Sequence, residues 1–133
     1  MAEKYLIDTS AVIKYLNESF PPQAILFLDE IIDAECIISF ITQIELLVWE
    51  PPNVSDLAIY QTFVKDSIII GSDNDIVEQA ILIRKMHNLK LPDAIIAATS
   101  IVYDFTLIAD NDGDFKKVTR LKYLNPLHNL EIL

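Results

Sequence analysis

Two glycines, two histidines and a single cysteine are all that this chain of 133 residues holds of the residue types on which many sites are built. With only Gly71 and Gly113 there is no Gly-rich loop to cradle a phosphate, which excludes dinucleotide-binding and P-loop nucleotide sites. Cys36 has no partner, so no disulfide framework exists, and its place in the apolar run Cys36-Ile37-Ile38 predicts a buried thiol in a reducing compartment. His87 and His128 are too few, and too far in sequence from the acids, to predict a histidine ligand set. No apolar run approaches the roughly 20 residues that span a bilayer, and no basic segment with a cleavage site opens the chain, so a soluble cytoplasmic protein with no membrane contact is expected. Positive charge is scarce as well. Ten Lys and Arg against twenty Asp and Glu leave a net charge of −10, which disfavours nonspecific attraction to nucleic acid or anionic lipid.

What is present is a succession of short apolar runs and longer amphipathic ones. Tyr5-Leu6-Ile7 ends abruptly in Asp8-Thr9-Ser10, the pattern of a buried strand surfacing into a site. A helix is predicted over Ala11–Glu18, with Thr9 or Ser10 as its cap, and a second after Pro21-Pro22 through Ile32. Glu35–Phe40 reads as a second strand. Thr42 opens a helix that stops before Pro51-Pro52, and Val54–Val64 forms another. Ser67–Ile70 is a third strand. Asp73 or Ser72 caps a helix running to about His87 with Ile76, Ala80 and Ile83 inward, and Pro92 starts a helix over Asp93–Tyr103. Thr106–Ala109 is a fourth strand and Arg120–Leu124 a fifth. Short strands alternating with helices predict an α/β fold: one domain, residues 1–133, with helices on both faces of a parallel sheet of four to five strands.

In such a sheet the strand ends and helix starts lie along one edge, and there the acids gather. Each acid has an ordinary structural explanation. Asp8 suits a helix cap, Thr42-x-x-Glu45 satisfies the capping-box pattern, Asp93 lies in a helix's first turn, and Asp110, Asp112 and Asp114 fall in a loop containing Gly113. Together they predict more. Converging carboxylates repel one another and are tolerable with a bound cation, and an oxygen-only donor set favours Mg²⁺ or Mn²⁺ over zinc. A calcium loop starting at Asp110 fails, because Phe115 stands where its glycine is required and Leu121 where its bidentate glutamate is required. Four of the ten basic residues, Lys116, Lys117, Arg120 and Lys122, fall within seven positions, a solvated face or a local phosphate-binding edge.

Leu6-Ile7-Asp8-Thr9-Ser10, Ile44-Glu45-Leu46, Leu91-Pro92-Asp93-Ala94-Ile95-Ile96-Ala97-Ala98-Thr99 and Asp112-Gly113-Asp114-Phe115 resemble the PIN-domain ribonucleases, especially the VapC-type toxins of toxin–antitoxin pairs. The resemblance runs from about residue 4 to residue 124; its Pro-Asp-Ala helix and Asp-Phe ending are its most specific parts. It implies a three-layer α/β/α sandwich and metal-dependent hydrolysis of RNA by Asp8, Glu45, Asp93 and Asp112 around Mg²⁺ or Mn²⁺, with Asp114 a further metal-binding acid. Thr9, Ser10, Lys116, Lys117 and Arg120 would position substrate. It also implies a homodimer and a cognate antitoxin, with Trp49, Tyr60 and Phe63 candidate interface or core residues. Asp110 departs from the family pattern, which commonly has Thr or Ser there.

Two other functions compete. A phospho-acceptor receiver domain needs an acidic pair at the first strand's end, where this chain has Asp8 alone, and a dehalogenase-like phosphatase needs a second Asp where Ser10 stands. A catalytically inactive PIN-like binding module keeps the fold without the chemistry.

Overall fold

The computed structural model describes residues 3–128. Five short strands, β1 (Tyr5–Ile7), β2 (Ile37–Ser39), β3 (Ile68–Ile70), β4 (Thr106–Ile108) and β5 (Tyr123–Leu124), form one sheet in the order β3-β2-β1-β4-β5. All pairings are parallel, with Leu6 opposite both Ile37 and Leu107, and Ile7 opposite Ile108. Because successive strand residues face opposite sides, Leu6, Ile37 and Leu107 enter one core while Ile7, Ile38 and Ile108 enter another. Two hydrophobic layers therefore sandwich the sheet. The fifth strand is shorter than the predicted Arg120–Leu124, since the chain is still turning through Val118–Leu121. At the opposite edge β3 leaves Ile68 and Ile69 exposed.

Seven helices complete the layers: α1 (Thr9–Leu16), α2 (Pro22–Ala34), α3 (Phe40–Val48), α4 (Val54–Lys65), α5 (Asn74–Met86), α6 (Leu91–Tyr103) and α7 (Asp112–Phe115). Helices α1, α2 and α4 pack on one face through Val12, Leu28, Ile31 and Val64, together with Leu46 of α3, and α5, α6 and α7 cover the other. The predicted inward set of α5, Ile76, Ala80 and Ile83, is buried there, and Asp73 caps that helix by accepting from Ile76 N at 2.8 Å. The three-layer α/β/α architecture is the one expected. No helix among the described residues is long and apolar enough to cross a membrane.

Three local expectations are corrected. Helix α1 is capped by Asp8, which accepts from Ser10 N at 3.2 Å; Thr9 and Ser10 are its first residues. Helix α3 begins before Thr42, capped by Ser39, whose Oγ accepts from Ile41 N at 3.0 Å. Thr42 and Glu45 are thus interior to the helix, and the capping-box explanation of Glu45 fails. The acidic stretch after β4 is not all loop, because Phe115 N and Lys116 N close a helical turn onto the carbonyls of Asn111 and Asp112. Cys36 is buried as predicted, and burial pushes its thiol up. Tyr60 is a core residue, with the half-exposed Trp49 ring 5.1 Å from it.

Phe115 is fully buried in α7 and packs into the α5–α6 core. Phe115→Ala should cost about 3–5 kcal/mol, seen as a lower urea midpoint at unchanged slope. Val54→Ala, at a highly exposed position, should change stability by less than about 0.5 kcal/mol.

Candidate active site

The chain enters the sheet at its centre, moves outward through β2 and β3, then returns to place β4 on the other side of β1. That reversal opens a crevice beyond the carboxyl ends of β1 and β4, the usual ligand position in a sheet of this kind. Asp8 stands at the end of β1. Its N–H donates to Ile108 O at 2.9 Å, tying it to β4. Its carboxylate is only 6% exposed and accepts from both Ser10 N and Ser10 Oγ, the latter at 2.6 Å. Burial pushes its pKa up to about 6; the Ser10 hydrogen bonds act against that rise, and the charges of Asp93 and Glu45 add to it. Among the described residues no Lys, Arg or His pairs with Asp8.

Glu45 reaches the same crevice from the middle of α3. Thr9 Oγ1 donates to its Oε1 at 2.6 Å and lies 3.0 Å from the hydroxyl of Thr42, which is fully buried. Asp93 comes from the first turn of α6, after Pro92. Burial raises its pKa, the charges of Asp114 and Glu45 raise it further, and Lys90 offsets part of this. Asp8, Glu45 and Asp93 thus lie near enough to act on one another, and Asp114 acts on Asp93.

Asp112 has donors of its own. Its Oδ1 accepts from Tyr123 OH at 2.7 Å and from Asn125 Nδ2 at 3.0 Å, and these donors hold its carboxyl below the usual range. Its Oδ2 faces Lys116 at 3.6 Å and His128 at 3.8 Å, so His128 is close to an acid despite its distance along the chain. Asp110 is ion-paired to Lys14 of α1 and accepts from Asn125 Nδ2 at 2.9 Å, which lowers its pKa. The extra carboxylate at that position is therefore neutralised inside the protein. Ser10 and Thr9 spend their hydroxyls on Asp8 and Glu45. Of the predicted basic edge, Lys116 and Lys117 stay by the acids, with Lys117 3.7 Å from Asp114, whereas Arg120 donates to Gln79 of α5 and Lys122 pairs with Asp104. Lys14, Tyr123 and Asn125 went unnoticed in the sequence, where no motif or periodicity marks them.

A sequence model of the PIN domain family matches residues 5–121. The chain belongs to that family. Among solved structures, this PIN domain is similar to the DNA-bound VapBC of Salmonella typhimurium, with a TM-score of 0.80, 17% identity and coverage of 94% of this chain and 99% of that one. It is also similar to a toxin–antitoxin complex from Klebsiella pneumoniae, with a TM-score of 0.69, 27% identity and coverage of 92% and 98%. FitAcB from Neisseria gonorrhoeae matches with a TM-score of 0.75, 23% identity and coverage of 93% and 99%. No curated protein matches the sequence.

Whether the PIN domain suits a divalent cation is a question of its donors. Among the described residues, no three Asp, Glu, His or Cys side chains stand as placed in an arrangement that holds an ion. The chemistry of the set does fit one. It is all oxygen, and the rises at Asp8 and Asp93 include mutual repulsion that a cation would relieve. By contrast, an apolar groove of about 520 Å³ between α5 and α6, lined by residues such as Ile76, Ile81, Leu91 and Ile95, carries none of these acids.

The Asp8 shift has a consequence for stability. A folded pKa of about 6 lies above the unfolded value of roughly 3.9, so between these values the folded state binds more protons. Stability conferred at low pH is then lost as pH rises through this window, and it stays lost above it. Asp8→Asn removes this slope. In EDTA at pH 7.5 the variant should be more stable than wild type by about 2–3 kcal/mol, and at pH 4 the two should nearly coincide, as measured by urea unfolding across pH.

Proposed function

We propose that this PIN domain is a metal-dependent endoribonuclease and the toxin of a toxin–antitoxin pair, working with Mg²⁺ or Mn²⁺. The observation that carries this reading is the buried Asp8 carboxylate, without a basic partner among the described residues and acted on by the charges of Asp93 and Glu45, with Asp114 acting in turn on Asp93. A carboxylate nest in a protein of net charge −10 repels a polyanion unless a cation is present. The likeness to VapBC and other toxin–antitoxin complexes supports an antitoxin as partner. As in the resemblance noted in the sequence, a homodimer is proposed with it.

Asp8, Glu45, Asp93 and Asp114 would hold the cation, which when bound supplies a water of lowered pKa and neutralises charge developing on phosphoryl oxygens. The chain's own groups prepare the site. Ser10 fixes the Asp8 carboxylate with two hydrogen bonds, and Thr9 fixes that of Glu45. Asp112, the remaining acid of the predicted quartet, is fixed at Oδ1 by Tyr123 and Asn125. Lys116 and Lys117, exposed beside α7, would meet the RNA backbone and position it without selecting sequence.

Purified protein should cut RNA in Mg²⁺ or Mn²⁺, stop in EDTA, and lose cleavage with Asp8→Asn or Asp93→Asn while keeping its circular dichroism. Cleavage that survives in both variants would place the chemistry elsewhere. Lys117→Glu should weaken RNA binding and lower the slope of log affinity against log salt by about one, measured by fluorescence anisotropy over a salt series. For the partner, the product of the adjacent gene should copurify and suppress cleavage.

A further inference from the structure

Asn125 follows β5 directly, is 0% exposed, and its side chain hydrogen-bonds to polar partners. Its Nδ2 donates to Asp110 Oδ1 at 2.9 Å and to Asp112 Oδ1 at 3.0 Å, and its Oδ1 accepts from Leu127 N at 2.9 Å. A single amide group thus bridges two carboxylates that would otherwise repel each other. Lys14 takes the other oxygen of Asp110, and the Tyr123 hydroxyl reinforces Asp112 at 2.7 Å. A buried amide is costly unless its hydrogen bonds are made, and here they are made to the acidic turn.

Asp112 is the first residue of α7, and its carbonyl accepts from Lys116 N at 3.1 Å. Pinning the Asp112 side chain therefore pins the start of a four-residue turn. Asp114 lies two residues further on, on the same turn, and its charge acts on Asp93. Asp114, which accepts from Asn111 Nδ2 at 3.2 Å and lies 3.7 Å from Lys117, is thus carried on a turn whose start is held by the hydrogen bonds of Asp112.

We propose that Asn125 is a positioning residue for hydrolysis: by anchoring Asp110 and Asp112 it sets where Asp114 stands relative to Asp8 and Asp93. The chemical part of this proposal rests on the nuclease reading above; the anchoring does not. Asn125 acts through the turn and belongs to none of the groups that would meet RNA.

The test uses Asn125→Leu, which keeps the branched skeleton and removes the donors, Asn125→Asp, which keeps the shape and adds a third carboxylate, and Tyr123→Phe, which deletes one hydroxyl. In metal-free protein, hydrogen exchange at the Phe115 and Lys116 amides should quicken about tenfold relative to the Leu6 amide in both Asn125 variants. With Mn²⁺, kcat for RNA cleavage should fall by about 10–100-fold, as outer-layer partners of ligating groups commonly show, with KM within about twofold. Tyr123→Phe should move both readouts in the same direction by less. Asn125→Leu with normal α7 exchange and normal kcat would reduce Asn125 to packing and overturn the proposal. If the Asn125 variants do not fold, Tyr123→Phe with both readouts at wild-type values overturns it too. Wild-type protein that cuts no RNA defeats the nuclease reading, and the exchange comparison still decides whether the anchor exists.

Discussion

A negative charge taken out of water with no positive charge beside it among the described residues is the constraint around which this molecule is arranged. Asp8 carries it, at the end of the central strand, where β2 and β4 flank β1 and helices close both faces. Burial of a carboxylate is opposed by loss of hydration. The fold offsets only part of that with the Ser10 hydrogen bonds and the start of α1. The same residue caps a helix and faces a crevice, so the ordinary and the functional accounts of Asp8 are both true at once.

The surrounding acids sort into two groups by their partners. Asp110 and Asp112 receive Lys14, Tyr123 and Asn125 and behave as structural carboxylates held below their usual pKa. Asp8 and Asp93 are pushed the other way by burial and by neighbouring acids. Asp114, two positions from Asp112 on the same turn, has Asn111 and Lys117 beside it, and its charge acts on Asp93. Proximity in sequence says little about which carboxylate is free to act; the donors around it decide.

The fold was legible because its signal is periodic. Short runs such as Ile37–Ser39 and Ile68–Ile70, set between helices of nine or more residues, leave few arrangements other than a covered parallel sheet. Asp8, Glu45 and Asp93 were legible because each falls at a strand end, on a helix facing that edge, or at a helix start. The hydrogen bonds of Asp112 were not, because its partners Tyr123 and Asn125 arrive from β5 and the residue after it and belong to no repeating pattern. Thr42-x-x-Glu45 misled for a related reason: it spells a capping box, but Ser39 lies upstream at a better place to start the helix. The basic run from Lys116 to Lys122 looks like one patch on paper, yet Arg120 and Lys122 are drawn away to Gln79 and Asp104.

The sheet also has an unguarded side. At β3, isoleucines reach solvent and backbone groups on the outer side of the strand face no further strand of the sheet, which is the arrangement that invites a foreign segment to add itself and begin aggregation. What protects it is brevity. A ladder of three residues gives an intruder too few hydrogen bonds to hold on, so lengthening this strand by engineering would trade a little rigidity for a sticky molecule.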